Sequence, residues 1–374
     1  MTKSNRRKII FLISFWVLAA VFISTYEAVT LRFKSPLEGA SYNFWRSLAT
    51  VTVVALIGST VVASFEVLYF ARKLRKRSFG LVLLVKTLFY LASMLIFISL
   101  AFWAIISFEL DQPPFHHTVT TKAWGLISSA KFIVTMAYWG IAILFALFVL
   151  QVSQKFGQGV LVNFILGKYH QPKEEHRIFM FIDLRSSTTY AEQLGHIRYS
   201  QLIQDCFFDL TDIVNAYDAQ IYQYVGDEVV LTWDFGKVKI AENCIETFFA
   251  YDRKFREKSV YYQEKYGLVP EFKAGMNSGL VTVAEVGEIK KELAYHGDVL
   301  NTAARIQGQC NEYESRLLIS ETFKNHLLQD PSKYELEFKG NILLKGKLAS
   351  VDIYQVKYPP PSSQKTLRMA AEKT

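Results

Sequence analysis

The sequence predicts an α-helical membrane bundle of four spans followed by a soluble α+β domain. Three observations predict it: long apolar segments in the first half, a change of net charge between the halves, and β-rich runs in the second. Of 374 residues, 51% are hydrophobic and 20% are charged, which excludes a disordered or fibrous chain. Residues 1–170 carry 17 Lys and Arg against 5 Asp and Glu, a net +12, whereas residues 171–374 carry 25 against 29, a net −4. This split favours a membrane anchor and argues against nucleic-acid binding.

Each predicted span reaches the ~20 apolar residues that a helix needs to cross the hydrocarbon core. The four spans are Ile9–Val29, Leu48–Phe70, Leu81–Phe108 and Ala123–Leu150. Basic clusters precede the first span and fill the link between the second and the third, so these sides should face the cytoplasm. We therefore expect a multi-pass protein of the cell inner (plasma) membrane that contacts lipid and has both termini in the cytoplasm.

Four side chains in this half can ionise or bind a metal, and each has both a functional and an ordinary structural interpretation. Glu66 and Lys86 lie inside spans, where burial of a charge in lipid is costly and usually serves a function. Both are also near the cytoplasmic ends, where the lysine can extend to the interface and the acid can meet the basic link. His116 and His117 could bind a metal or haem, but they lie in a loop beside two prolines, which favours ordinary loop residues.

The domain boundaries follow from composition. Residues 1–150 form the anchor, 151–172 an amphipathic juxtamembrane linker, 173–358 the soluble domain and 359–374 a polar, proline-led tail that we expect to be disordered. Three widely spaced cysteines in the soluble half form neither a metal-binding spacing nor a disulfide framework, which fits a reducing compartment.

The soluble domain alternates strand and helix patterns in a βαββαβ-like order. This order predicts helices packed on one face of a mainly antiparallel sheet. The predicted elements are strand Ile178–Leu184, helix Ser187–Tyr217, a hairpin of Ala219–Tyr224 and Glu228–Trp233 around Gly226-Asp227, helix Lys237–Tyr266, a hairpin of Glu271–Asn277 and Leu280–Val286 around Ser278-Gly279, strand Glu292–His296 and a helix from Asp298.

Two carboxylates are delivered to one edge of this predicted sheet. Asp183 ends the first strand and Asp227 lies at the tip of the first hairpin. Such a pair suits two hard cations that bridge the phosphates of a nucleotide. Taken singly, each carboxylate also has an ordinary role, near a helix N-cap or in a turn.

Two further motifs add to the carboxylate pair. Backbone N–H groups of the strand-to-helix turn that follows Asp183 can hold an anion; its residues are Arg185, Ser186, Ser187 and Thr188. Asn301 and Arg305 are four residues apart and so share one helix face, from which they can orient a ribose and neutralise a phosphoryl group.

With these motifs the chain resembles the class III nucleotide cyclases, the adenylyl and guanylyl cyclase family, over about residues 175–357. The resemblance rests on Phe-Ile-Asp183-Leu-Arg-Ser-Ser-Thr, Tyr-Val-Gly-Asp227-Glu, Gly275-Met-Asn-Ser-Gly279 and Gly-Asp-x-x-Asn301-x-x-x-Arg305. It implies an α+β ferredoxin-like class III cyclase domain that converts ATP to cyclic AMP and pyrophosphate. It also implies a homodimer with two shared active sites, in which the carboxylates of one chain face Asn301 and Arg305 of the other.

The resemblance assigns roles to the site residues. Asp183, Asp227 and the carbonyl of Leu184 would hold two Mg²⁺ or Mn²⁺ ions per active site, Asn301 would position the ribose, and Arg305 would stabilise the transition state. A lysine near the end of the domain would bind the terminal phosphates; Lys345 matches best and Lys347 is the second choice, although either could be a solvated hairpin lysine.

The base-selecting positions depart from the family pattern. Typical adenylyl cyclases have a lysine and an aspartate or threonine where this chain has Gln223 and Ala294. The glutamine can read either purine, since its amide both donates and accepts. ATP remains favoured over GTP, because residues typical of guanylyl cyclases are also missing. Alternatives are a guanylate or dual-specificity cyclase, or a catalytically inactive nucleotide-binding module. Retention of the carboxylates, Asn301 and Arg305 argues against the last.

Overall fold

The computed structural model divides the chain into two compact units, Met1–Phe156 and Gly157–Thr374. It describes residues 6, 9–10, 12–22, 25, 44–70, 73–74, 77–156, 163, 166–236, 240–327, 334–343 and 350–358. The predicted tail 359–374 and much of the linker 151–172 lie outside these residues.

The first unit is entirely helical over its described residues. Helix α3 is its centre, since it packs against α2, α4 and α5. The helices are α1 (Leu12–Phe22), α2 (Phe44–Phe65), α3 (Phe79–Leu110), α4 (His117–Ile127) and α5 (Ala130–Phe156), with a single π-helical turn, Glu66–Phe70, continuing α2.

Three helical segments among the described residues are long and apolar enough to cross a membrane: Leu48–Phe70, Phe79–Leu110 and Phe132–Val149. The predicted second and third spans agree with the first two. The predicted fourth span began too early, because a break at Ser128 and Ser129 separates α4 from α5. Both serine hydroxyls hydrogen-bond to backbone carbonyls of the preceding turn, a local bond that competes with helix continuation. Most of the first predicted span beyond α1 lies outside the described residues.

The two charges predicted inside spans form an ion pair. The Nζ of Lys86 on α3 donates to Oε1 of Glu66, the first residue of the π-helical turn. The hydroxyl of Tyr90 lies 3.5 Å from the other carboxylate oxygen. The lysine and glutamate side chains are 12% and 21% exposed, so each charge is compensated within the bundle. A π-helical turn at such a position is a frequent feature of functional sites.

The second unit contains eight strands and five helices over its described residues. The strands are β1 (Lys173–Leu184), β2 (Gln220–Val225), β3 (Glu228–Asp234), β4 (Phe272–Val286), β5 (Glu292–His296), β6 (Leu317–Ser320), β7 (Glu335–Ile342) and β8 (Val351–Lys357). The helices are α6 (Ser187–Ala216), α7 (Ile240–Glu257), α8 (Ser259–Tyr266), α9 (Asp298–Gly308) and α10 (Glu321–Lys324).

All the strands form one mixed sheet in the order β2-β3-β1-β4-β6-β8-β7, with β5 paired to β4 outside this path. The first four strands pair antiparallel, which is the arrangement expected of a βαββαβ unit. Among the strands that the structure describes, β4 and β6 are the one parallel pair. The central strand β1 pairs with β4 along its whole length and with β3 from Arg177 to Asp183.

Helices cover both faces of this sheet, so the prediction of helices on one face was wrong. Helices α6, α7 and α8 pack on the side chains of Ile178, Met180 and Ile182. Helix α9 packs on the alternate residues Phe179 and Phe181. Because successive strand residues point to opposite faces, the odd-numbered residues of β1 face α9.

The second predicted hairpin is also wrong, because β4 runs without interruption through Ser278 and Gly279. The glycines that suggested a turn instead allow close packing of α9. A Cβ atom at Gly275 would lie 2.2 Å from the backbone nitrogen of Gln307, and one at Gly279 would lie 2.8 Å from a methyl group of Val299. The helix can approach the strand only because these side chains are missing.

The predicted helix 237–266 is divided into α7 and α8 at Lys258. The lysine Nζ lies 2.5 Å from Oδ1 of Asp209 on α6, and the hydroxyl of Tyr262 on α8 lies 2.9 Å from Oδ2 of the same carboxylate. The break therefore lets the N-cap residue of α8 and a residue of its first turn converge on one acid.

The ion pair within the first unit gives a stability prediction. Glu66→Gln and Lys86→Gln should each destabilise the chain by about 3 kcal/mol, because each leaves an opposite charge buried without its partner. The double variant should lose less than the sum of the two. Thermal unfolding in nanodiscs measures this, with Glu109→Gln, an exposed acid on α3, as the control. Equal stability of all variants would contradict a structural role for the pair.

Candidate active site

Three charged residues form a row across the end of the central strands. Asp183 on β1 is directly opposite Glu228 on β3 and Lys273 on β4. Residues directly opposite each other project from the same face, and for Asp183 this is the face that α9 covers. The row brings two acids and one base together within three neighbouring strands.

Asp183 is the acid of this row whose carboxylate is fixed by contacts with neighbouring side chains. Its Oδ2 accepts a hydrogen bond of 3.0 Å from Nε2 of Gln307 on α9 and lies 3.4 Å from Nζ of Lys273. Burial and the nearby Asp227 carboxylate raise the pKa of Asp183, while the lysine and the glutamine partly oppose this. The two contacts therefore fix the direction of the Asp183 carboxylate.

Asp227 occupies the tip of the β2–β3 hairpin, as predicted. Gly226 has a φ of +61°, the conformation required at the first position of a type II′ turn. The hydroxyl of Tyr199 on α6 is close enough to the Asp227 carboxylate and to the Ser187 side chain for both to affect its pKa. Burial and the charge of Asp227 raise the pKa of this phenol to about 12. The tyrosine thus links the second carboxylate to the first turn of α6.

The predicted anion-binding turn lies directly after β1. Helix α6 begins at Ser187, and Ser186 before it has a left-handed backbone with φ +56° and makes no side-chain capping bond. The N–H of Arg185 donates to the carbonyl of Glu271 at 2.8 Å, and the two side chains form an exposed ion pair. Thr188 is exposed in the first turn. The first N–H groups of a helix have no intrahelical acceptor, so this turn can receive an anion beside Asp183.

Helix α9 presents different residues to its two sides. Gln307 reaches Asp183 of the same chain. Arg305 is two residues earlier and so projects about 160° away around the helix. Asn301 is exposed and Arg305 is half-buried. The structure therefore brings together Asp183 and Asp227, but within one chain it leaves the asparagine and arginine on another side of α9.

The two predicted base-selecting residues differ in their placement. Gln223 on β2 pairs with Val230 on β3. Val230 belongs to the apolar cluster between the sheet and α9, here called the cluster under α9. Ala294 on β5 pairs with Ala284, and its neighbour Tyr295 is the residue that joins the cluster under α9. By strand alternation Ala294 lies on the opposite face from Tyr295. The predicted phosphate-binding Lys345, and Lys347, lie outside the described residues.

The donor set fits a divalent cation. Carboxylate and carbonyl oxygens are the ligands that Mg²⁺ and Mn²⁺ prefer, and Leu184, whose carbonyl was predicted as a ligand, is buried beside Asp183 at the end of β1. Burial, and after it the charge of Asp227, raise the pKa of Asp183, so a cation bound beside the two carboxylates would favour their charged forms. No group of three or more His, Cys, Asp or Glu side chains in metal-binding proximity occurs among the described residues. Asp183, Asp227 and the Leu184 carbonyl would hold the ions.

Four residues near the carboxylates were not assigned to the site from the sequence: Tyr199, Glu228, Lys273 and Gln307. Their positions depend on strand register and helix packing. Of these four, only Glu228 could have been placed near the site from the sequence. It follows Asp227 directly and begins a strand antiparallel to the one that ends at Asp183.

Comparisons with known proteins identify the second unit. Residues 169–358 match the family model described as the adenylate and guanylate cyclase catalytic domain. The chain is 33% identical over 201 residues to adenylate cyclase 2 of Rhizobium meliloti (strain 1021), covering 54% of this chain and 55% of that protein. It is 25% identical over 182 residues to an adenylate cyclase of Anabaena cylindrica, covering 48% of this chain and 36% of that protein.

Among solved structures, a bacterial light-regulated adenylyl cyclase has the same fold, with a TM-score of 0.52 at 15% identity over 65% of this chain and 71% of that one. The chain thus spans about half the length, or less, of these two curated relatives.

The contact between Tyr199 and Asp227 gives a prediction for the hairpin. Tyr199→Phe should cost about 1 kcal/mol, the value of one hydrogen bond, and should speed hydrogen exchange at the amides of residues 225–228. Tyr261→Phe is the matched control, because that hydroxyl donates to Asp205 on α6 instead, at 2.7 Å. Unchanged exchange at the hairpin in Tyr199→Phe would show that the phenol does not hold Asp227.

Proposed function

Because the chain belongs to the adenylate and guanylate cyclase catalytic-domain family, we propose that it is a membrane-anchored class III adenylate cyclase. The reaction converts ATP to 3′,5′-cyclic AMP and pyrophosphate. The observation that carries the proposal is the pair Asp183 and Asp227: the first lies near the end of β1 and the second at the tip of the β2–β3 hairpin, close enough for its charge to raise the pKa of Asp183. A nucleoside triphosphate binds together with divalent cations, and a pair of neighbouring carboxylates can hold these cations.

In this reaction the ribose 3′-oxygen forms a bond to the α-phosphorus, the bond from that phosphorus to the bridging oxygen breaks, and the hydroxyl proton is lost. Two Mg²⁺ or Mn²⁺ ions, when bound, would neutralise the triphosphate and lower the pKa of the 3′-hydroxyl. Asp183 and Asp227 orient the nucleotide from the protein side. The turn that follows β1 would receive phosphate oxygens through the backbone N–H groups of residues 186–188, with the side chain of Arg185 beside them, and Lys345 would bind the terminal phosphates.

The remaining two groups come from α9 of a second chain in this proposal. Asn301 positions the ribose, and Arg305 stabilises the charge that develops on the transferred phosphoryl group. The orientation of α9 supports the arrangement: Gln307 contacts Asp183 of its own chain, while Asn301 is exposed. In the described part of the chain the side chain of Arg305 makes no hydrogen bond or ion pair. A homodimer would complete two such sites.

ATP is the proposed substrate, with GTP as the alternative. Both relatives described above are named adenylate cyclases, which supports ATP. The exposed amide of Gln223 can donate and accept, so it can pair with either purine. Ala294 has no polar side-chain atom and cannot discriminate between them. Discrimination would therefore rest on Gln223 and on backbone groups.

For the first unit we propose four spans with both termini in the cytoplasm. Three span-length helices support this arrangement, as does the basic sequence between the second and third spans. Helix α1 would be the core of the remaining span. The anchor would then keep the cyclase domain at the inner membrane surface.

The first test of the function uses the full chain in nanodiscs with Mn²⁺ and equal concentrations of ATP and GTP. Cyclic AMP should be the main product, measured by mass spectrometry. Asp183→Asn and Asp227→Asn should each lower its formation by about 100-fold or more, because phosphate positioning and charge neutralisation are lost. Asp212→Asn, an exposed acid on α6, is the control. A wild-type chain that forms no cyclic product would refute the proposed cyclase activity. Cyclic GMP as the main product would show that GTP, and not ATP, is the preferred substrate.

A second test addresses the shared site. Chains carrying Asp227→Ala and chains carrying Arg305→Ala should each be inactive alone. An equal mixture should recover about one quarter of wild-type activity, because half of the dimers are mixed and each mixed dimer has one intact site. Heterodimer formation is checked by differently tagged chains. Mixed dimers without activity would show that the carboxylates and Arg305 act within one chain.

A further inference from the structure

Gln307 is a buried polar residue on an otherwise apolar stripe of α9. Its side chain is 7% exposed, and the two residues that precede it at intervals of four, Val299 and Ala303, are buried and apolar. Residues four apart lie on the same face of a helix. Burial of an amide is costly unless it is hydrogen-bonded, and an apolar side chain of similar length, such as methionine, would pack equally well. Packing therefore does not explain why this residue is a glutamine.

The side chain of Gln307 has one hydrogen-bond partner among the described residues, and that partner is a predicted metal ligand. Its Nε2 donates to Oδ2 of Asp183 at 3.0 Å. The backbone of Gln307 is closely packed as well, since a Cβ atom at Gly275 on β4 would lie only 2.2 Å from its nitrogen. The hydrogen-bond donor is therefore held on a helix segment that is itself fixed against the sheet.

The two protein partners of the Asp183 carboxylate contact the same oxygen. Nζ of Lys273 lies 3.4 Å from Oδ2, the atom that also accepts from Gln307. Oδ1 has no hydrogen-bond or ion-pair partner among the residues that the structure describes. One oxygen of the carboxylate is thus engaged by the protein, and the other is left open for a ligand.

We propose that Gln307 is a positioning residue: by holding Oδ2 of Asp183, it presents Oδ1 to a divalent cation, Mg²⁺ or Mn²⁺. The inference rests on the proposed function and deepens it. A neutral amide suits this role, because it restrains the carboxylate without placing a second positive charge beside Lys273. Groups that hydrogen-bond a metal-ligating carboxylate orient it, and their loss typically costs about 10- to 100-fold in metal affinity or activity.

Two variants of α9 separate the hydrogen bond from the packing of the helix. Gln307→Met removes the donor but keeps a side chain of similar length, so the Asp183 carboxylate can rotate while α9 stays in place. Ile306→Val removes one buried methylene group at the preceding position and leaves the donor unchanged. If the hydrogen bond positions the ligand, metal binding responds to the first variant and stability responds to the second.

The experiment measures Mn²⁺ binding to the full chain in nanodiscs, without nucleotide, from the electron paramagnetic resonance signal of free Mn²⁺. Gln307→Met should weaken Mn²⁺ binding about 10-fold and shift the thermal unfolding midpoint of the cyclase domain by less than about 2 °C. Ile306→Val should lower this midpoint by about 3 °C and leave Mn²⁺ binding unchanged. Gln204→Met, at an exposed glutamine on α6, is the matched control and should change neither quantity.

The Mn²⁺ dependence of cyclic AMP formation gives a second measurement. In Gln307→Met the Mn²⁺ concentration for half-maximal activity should rise about 10-fold, and saturating Mn²⁺ should restore most of kcat. This pattern is expected because the variant keeps Asp183 itself and loses only the restraint on its direction. A kcat that stays low at saturating Mn²⁺, with unchanged Mn²⁺ affinity, would contradict the positioning role.

The variant Asp183→Asn separates this inference from the function on which it rests. If Asp183→Asn weakens Mn²⁺ binding and Gln307→Met does not, the inference is overturned while the proposed function stands. The inference is also overturned if Ile306→Val weakens binding as much as Gln307→Met, because the packing of α9 then explains the effect. If Asp183→Asn leaves Mn²⁺ binding unchanged, the metal site of the proposed function fails, and the inference fails with it.

Discussion

The site depends on the placement of acids on neighbouring strand ends where protein groups do not fully neutralise them. In the row across the sheet one base, Lys273, faces two acids, Asp183 and Glu228, and Asp227 adds a third from the hairpin tip. Folding alone would favour fewer negative charges here, since burial and mutual repulsion raise the pKa of Asp183 and of Glu228. The rest of the domain therefore has to hold these acids in place against their repulsion.

Rigid packing on both faces of the sheet provides that restraint. On one face, α6 carries Tyr199, which holds Asp227. On the other, α9 carries Gln307, which holds Asp183. The second contact is possible because Gly275 lets the helix backbone approach β4 closely. The same close approach determines where Arg305 projects, so positioning of the first carboxylate and presentation of the arginine are two results of one packing arrangement.

Local sequence signals predicted the elements that carry the carboxylates but not the contacts between elements. Asp183 at a strand end and Asp227 in a two-residue turn follow from apolar runs and from Gly226, and both predictions agree with the structure. The glycines of β4 were interpreted as a turn, because sequence alone does not distinguish a glycine that bends the chain from one that admits a helix. Without that strand, neither the position of α9 on the second face nor the role of Gln307 could be predicted.

Glu66 and Glu228 show the same limit for charge. Each is a partly buried acid next to a structural irregularity, a π-helical turn in one case and a hairpin in the other. The sequence marked Glu66 as a functional candidate and did not mark Glu228. Their partners distinguish them: Glu66 is paired with Lys86 and bonded by Tyr90, whereas Glu228 faces another carboxylate. A compensated buried acid mainly holds two helices together, whereas an uncompensated one adds a cost to folding. The sequence does not show which of the two an acid is, because the partner lies on another helix or strand.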